Sequence, residues 1–174
     1  SIFFKQSLEN FNFTNTKFSS DNNFSFKINK KLKINDFYLK SKIKLDKLTY
    51  KTDIAELKNY IPNYGGFVDF EDHEIEVSIK KKQLSIKGIG SYLIDTQPEN
   101  INYDIKNKDG NFKFQFKINI NKNPLHIEFL NYKKKENKDS ILFIDGDYQK
   151  EKTLLFKKIS FNESKNIFLI ENLS

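Results

Sequence analysis

The chain has 174 residues and a formal net charge of +7; its thirty basic residues are all lysine, and it has no cysteine, methionine or tryptophan. This length suits one domain, and the lack of cysteine excludes a disulfide scaffold and a thiolate-bound zinc. Without arginine, the residue of bidentate base and phosphate recognition, specific nucleic-acid reading is not expected. No apolar run approaches the roughly 20 residues of a membrane-spanning helix. Lys, Asn, Ile and Phe share AT-rich codons, so the compositional skew needs no functional cause.

In chain order, apolar and polar residues alternate almost throughout, the pattern of strands with one apolar and one wet face. Phe24, Phe26 and Ile28 share a parity, followed by Leu32 and Ile34. At Asn35–Phe37 the parity slips, which predicts a bulge or turn, before Phe37, Leu39, Ile43 and Leu45 resume. The stretch 52–62 breaks the alternation. Ile54, Leu57 and Ile61 lie on one helical face, Asp53 and Glu56 make a capping box, and Pro62 ends the helix.

Alternation returns with Ile75, Val77 and Ile79, then Leu84 and Ile86, then Ile101, Tyr103 and Ile105. Asp109-Gly110 between two alternating runs is a hairpin signal. Phe112, Phe114, Phe116, Ile118 and Ile120 form the cleanest run of all. The segments "PLHIEFLNY", "SILFIDGDY", "TLLFKKISF" and "NIFLIENLS" continue as strands, with turns expected at "SIKKKQLSI" and "IDGDYQ". The expected fold is mainly β: a long, curved antiparallel meander sheet of eight to eleven strands, an open groove, with one short α-helix. A closed β-sandwich is the alternative. Residues 1–174 are expected to form a single β-rich segment excised from a longer protein.

Reaction chemistry finds little footing. Asp69, Glu71, Asp72, His73 and Glu74 are consecutive and would splay to both sides of a strand entry, as a solvated strand start does, whereas a metal needs ligands converging from several elements. His126 has no nucleophile elbow beside it. Gly88 and Gly90 lack the third glycine of a dinucleotide loop, and a strand follows them; glycines in a strand mark a bulge or a close backbone approach. Asp145 and Asp147 flank Gly146 in what reads as a solvated turn. No catalytic residue, metal ligand, cofactor or enzymatic activity is expected.

The apolar faces pose a different question. Burying five side chains such as Phe112 to Ile120 is worth about 10 kcal/mol, comparable with the whole stability of a domain. Protein core or an equally apolar ligand must cover them. Runs of ten residues span roughly 33 Å, longer than a usual sandwich strand, which favours an open trough. The candidate lipid-facing residues are Phe24, Phe26, Ile28, Ile43, Leu45, Ile75, Val77, Ile79, Leu84, Ile86, Tyr103 and Ile105, with Phe112, Phe114, Phe116, Ile118 and Ile120.

The succession "LKINDFYLKSKIKLDKL", a short helix with "YIP", "IEVSIKKKQLSIKGIGSYLID", "INYDIKNKDGNFKFQFKI", "IEFLNYKK" and "ISFNESKNIFLIENLS" carries a resemblance. A strand with Ile86, Gly88 and Gly90 in I-x-G-x-G spacing, then a tyrosine-containing strand and an amphipathic hairpin, resembles the repetitive β region of AsmA-like proteins of bacterial envelopes, particularly members with a DUF3971-type central domain. The all-lysine basic set departs from many members. The resemblance implies anchoring in the inner membrane through regions outside this piece, extension into the periplasm, and a hydrophobic groove carrying phospholipid toward the outer membrane. It also implies flanking β segments of the same polypeptide and phospholipid acyl chains as partners. The alternative function is a structural or adhesive β-sandwich module with no lipid ligand.

Overall fold

Period-two alternation becomes a hydrogen-bonded ladder. The computed structural model describes residues 11–51, 57–81, 83–94, 97–149, 154–164 and 166–173. Its elements are β1 (Phe11–Ile28), β2 (Ile34–Lys51), α1 (Leu57–Tyr60), β3 (Phe67–Lys80), β4 (Gln83–Leu93), β5 (Glu99–Lys108) and β6 (Asn111–Asn119). Then come β7 (Leu125–Ile127), β8 (Tyr132–Lys134), β9 (Ser140–Tyr148), β10 (Leu154–Glu163) and β11 (Asn166–Leu173). Nine strands form one antiparallel sheet in the order β1-β2-β3-β4-β5-β6-β9-β10-β11, and β7 pairs with β8 as a small separate sheet. The large sheet is an open meander, as expected; β1 and β11 are its two edges, and it does not close into a barrel.

Several local signals act as the sequence predicts. Asp109 and Gly110 both take positive φ (53° and 84°), and Lys108 pairs with Asn111 across them, the two-residue hairpin that Asp-Gly favours. The parity slip at Asn35–Phe37 is a bulge: Asp36 has φ 51°, and the β1–β2 register shifts opposite it. The helix is present over Leu57–Tyr60, with the Ile61 N–H closing onto the Leu57 carbonyl before Pro62. The capping box of Asp53 and Glu56, and Ile54 with it, lies outside the described residues.

Three local readings need correction. "IDGDYQ" is no turn; Ile144 to Tyr148 are the second half of β9, paired with β10 up to Tyr148–Leu154. "PLHIEFLNY" is not one strand: Leu125–Ile127 are β7, Glu128–Leu130 wind into a 3-10 turn ended by Asn131 at φ 50°, and Tyr132 opens β8. "DFEDHEIEV" is not solvated throughout. Asp72, at φ 54°, is a bulge between the pairs Glu71–Ser91 and Glu74–Ile89, and it turns His73 into a buried site.

Glycines explain how so many rings fit in one layer. A Cβ at Gly88 would run into the Tyr103 ring, one at Gly90 into the His73 imidazole, and one at Gly146 into the Phe114 ring and the Leu155 carbonyl. Each ring lies across the backbone of a glycine on the neighbouring strand, so missing side chains on one strand seat the aromatics of another.

The end of the sheet opposite the Asp109-Gly110 hairpin is fastened by a polar knot. Buried Glu99 accepts hydrogen bonds from the backbone N–H groups of Asn121, Lys122 (3.1 Å) and Asn123 (3.1 Å), and from the Asn123 side chain (2.8 Å). Buried Lys134 of β8 donates to the carbonyls of Asn121 (3.0 Å), Asn123 (2.7 Å) and Lys135 (3.0 Å). Its burial lowers its pKa, while Glu99 nearby opposes that shift. An anion for the loop's N–H groups and a cation for its carbonyls hold the β6–β9 crossover onto the sheet.

The glycine–ring fit makes a prediction. Gly88→Ala should destabilise the protein by about 1–3 kcal/mol through overpacking against Tyr103, and most of that loss should vanish in a Tyr103→Val background. Urea unfolding of the four proteins of this cycle measures the coupling; equal penalties in both backgrounds would disprove the steric account.

Candidate functional site

Antiparallel pairing in nearly unbroken register lines up like-facing side chains of successive strands into rows that cross the sheet. One row runs Phe24, Leu39, Ile79, Leu84, Asn107, Phe112 and Tyr148. The next runs Ser41, Val77, Ile86, Ile105, Phe114, Gly146 and Phe156. A third runs Ile43, Ile75, Gly88, Tyr103, Phe116, Ile144, Ile159 and Ile170. A fourth joins Gly90, Ile101, Ile118, Leu142, Phe161 and Phe168, with Leu45 and His73 continuing it beyond the β3 bulge. Every predicted ligand-facing residue from Ile43 to Ile118, and Phe24 as well, falls in these rows. The sheet therefore has a single extended apolar face.

Residues of the first three rows pack sideways, not against a second layer. Phe114 stands edge-on to Phe156 at 6.2 Å and tilted against Phe116 at 5.8 Å, and Phe112 tilts against Tyr148 at 6.2 Å. Lateral contact buries about one side of each ring, and Ile43, Val77, Ile86, Ile105, Phe114 and Phe116 are all half-buried. At the β1 edge exposure rises to 62% for Phe24.

The fourth row is different, because protein covers it. Tyr64, Tyr92 and Ile94 form the buried core cluster, with Leu57 and Ile61 from α1 and its exit, and Val68, Phe70, Ile101 and Ile118, packed against it. Tyr132 of β8 stands edge-on over Phe161 at 5.8 Å. Ile120 lies just past β6 and is buried, its N–H bonded to the Ser140 carbonyl. Two of the candidates, Ile118 and Ile120, thus meet protein, whereas Phe26 and Ile28 lie beyond the rows on β1 and are exposed. Alternation missed the contributions of β9 to β11, since runs such as Ile141–Ile144 are apolar in both parities and declare no face.

His73 sits where covered and open parts meet. Its Nε2 is 2.9 Å from the Ser91 carbonyl, which can only accept, so Nε2 carries the proton. Nδ1, 3.3 Å from the Tyr103 hydroxyl, then accepts from it. Burial lowers the His73 pKa, against the Ser91 bond and the neighbouring Asp72, and burial raises the Tyr103 phenol to about 12. A neutral imidazole bridging β3, β4 and β5 is a structural fastener, with Phe70 edge-on at 5.6 Å.

The opposite face carries the charge. Lys42, Glu76, Lys87, Asp104, Gln115, Asp145 and Lys158 form a row of polar and charged side chains in which both signs are mixed. Lys87 and Lys106 flank Asp104 at 3.6 and 3.5 Å, Lys47 bridges Glu71 and Asp69 at 3.1 and 3.2 Å, and Lys157 meets Asp147 at 2.7 Å. Hydrogen bonds donated to these carboxylates raise the pKa values of Lys47 and Lys157. Among the described residues, no group of three or more His, Asp or Glu converges as metal ligands would, and no helix is long and apolar enough to cross a membrane.

No family model, curated protein or solved structure matches this chain. The face itself therefore carries the functional reading.

His73 supplies a pH test. The unfolded chain binds its proton near pH 6.5, and the folded protein does so only at lower pH. Stability should therefore fall as pH drops through about 6.5 toward the folded value and level off below it. In His73→Gln, which keeps a donor for the Ser91 carbonyl, the fall in melting temperature between about pH 7 and 5 should be shallower. Parallel slopes for the two proteins would remove His73 as the titrating group.

Proposed function

We propose that this chain is a non-enzymatic, lipid-binding segment of an AsmA-like bacterial envelope protein, with its apolar face holding phospholipid acyl chains. The observation that carries the reading is the three rows of half-buried aromatic and branched side chains crossing the sheet with, among the described residues, no second sheet over them. An apolar surface of this extent on a soluble protein marks a binding site, and acyl chains match its chemistry: no charged side chain stands in these rows from β2 to β6. The charged opposite face keeps such a trough in water. In this reading the segment lies in the periplasm, its parent is anchored in the inner membrane by other regions, and phospholipid passes along the groove toward outer-membrane biogenesis.

The β11 edge supports the companion proposal that flanking β segments extend the sheet. β11 contains no lysine or proline and its pairing register is unbroken, so its only guards against edge pairing are Glu171 and the left-handed Asn172 near its end. It is apolar on both faces: Phe168 and Ile170 join the rows, while Ile167 and Leu169 stand exposed on the other side. Strands apolar on both faces are usually interior ones.

Photo-crosslinking amino acids at Phe114 and Phe116 should capture phospholipid in a lipid-loaded sample, and native mass spectrometry should resolve lipid adducts. The same probe at Gln115, on the opposite face, should capture none. Probes at Phe114 and Phe116 that capture only a second protein strand would favour the structural or adhesive module instead.

A further inference from the structure

β1 and β2 are longer than the sheet they begin. Both have 18 residues, yet β3 first pairs with β2 at Tyr38–Lys80. Among the described residues, 26–37 thus project as a two-stranded hairpin with no third strand beside them, over about 14 Å beyond that pair plus the turn. A free hairpin is marginal in water, and this one has the wrong surface for water. Phe26 is 44% exposed, Ile28 57%, Ile34 61% and Leu32, at the tip, 84%.

The tip is built, not frayed. The Asn29 side-chain oxygen accepts from the N–H groups of Lys31 (2.9 Å) and Lys33 (3.0 Å), and the Asn29 carbonyl accepts from Leu32 N–H at 2.9 Å. Leu32 is held at φ 55°, a conformation that leucine adopts only at a cost. A large apolar residue is thereby fixed at the most exposed point of the turn, where asparagine or glycine would be cheaper.

Its surroundings are cationic. Lys27, Lys30, Lys31 and Lys33 stand against the single Asp36, which Lys27 meets at 3.4 Å. The neighbouring turns at the same end, Lys80–Gln83 and Lys108–Asn111, add lysines and no apolar residue. Apolar side chains at a projecting tip, ringed by lysines, match the boundary between acyl chains and anionic headgroups. The strip is also continuous with the apolar face: Ile28 pairs with Ile34, and the Phe26 ring stacks on Phe24, the first residue of the first row.

We infer that the β1–β2 hairpin docks on the surface of an anionic bilayer, inserting Leu32 with Ile28 and Ile34 while its lysines meet lipid phosphates. Docking needs only the hairpin; that it opens the sheet's apolar face to lipid from the bilayer rests on the function proposed above.

Flotation of the full chain with vesicles tests this. The protein should bind phosphatidylcholine vesicles containing phosphatidylglycerol and be released by high salt, and it should bind pure phosphatidylcholine far less. Replacing Lys30, Lys31 and Lys33 by Gln should weaken binding about a hundredfold, and Leu32→Ser about tenfold or more. Neither set should alter lipid capture at Phe114 in detergent-dispersed phospholipid, which separates failure of docking from failure of the binding face. The chain has no cysteine, so Leu32→Cys takes a single environment-sensitive label. Its emission should shift on phosphatidylglycerol vesicles. Binding that ignores lipid charge and both substitutions, or a label that responds to protein concentration without vesicles, would overturn the inference, the latter by making a second copy the occupant.

Discussion

Cross-strand register is the constraint on which this protein depends. A slip of one residue in any pairing would carry that strand's apolar half to the charged face, and nine strands must agree for the rows to exist. Register is set locally and corrected locally. Asp109-Gly110 closes one hairpin at a fixed length, while the bulges at Asp36 and Asp72 absorb the residues that would otherwise break the rows. The ring seats at Gly88, Gly90 and Gly146 then lock neighbouring strands, because each ring fits only where the facing Cβ is missing.

Arranging the apolar residues in one layer has an energetic consequence. A sandwich buries both sides of its core residues; here the first three rows gain only their lateral contacts. Cooperative stability is concentrated instead at the covered end, where Tyr64, Tyr92 and Ile94 lie under α1 and where Glu99 and Lys134 tie down the crossover. The molecule thus has a fastened end and an open end, with His73 at the join. Local stability follows buried apolar contact and protected hydrogen bonds, so the uncovered rows and the projecting β1–β2 hairpin are the places free to exchange partners. On the opposite face Lys47, Lys87, Lys106 and Lys157 are ion-paired, and further lysines gather at the hairpin tips.

Much of this was legible in the residues. Single-strand alternation named the apolar face correctly from Phe24 to Ile118, and the Asp-Gly hairpin and the slip at Asn35–Phe37 were readable from short-range chemistry. Reading Gly88 and Gly90 as sites of close backbone approach was sound, though nothing in the sequence named the rings of Tyr103 and His73 as what approaches. Other features were hidden for identifiable reasons. Gly146 between two aspartates looks like a turn unless the Phe114 ring is known to lie across it. His73 looks solvated among four acids until the Asp72 bulge rotates it inward. Ile120 continues the parity of β6 faultlessly, yet it is buried because β9 begins beside it.

By itself the sequence determined the strand periodicity, the short helix and the two-faced character of each strand, because side-chain parity and turn chemistry are properties of a few adjacent residues. Only the tertiary structure decided which stretches of the apolar face are covered. Cover comes from segments distant in the chain: α1 and the loop after it, and the β7–β8 hairpin. No local pattern records those distances, so the same alternation marks the buried Ile120 and the half-buried Phe114 alike.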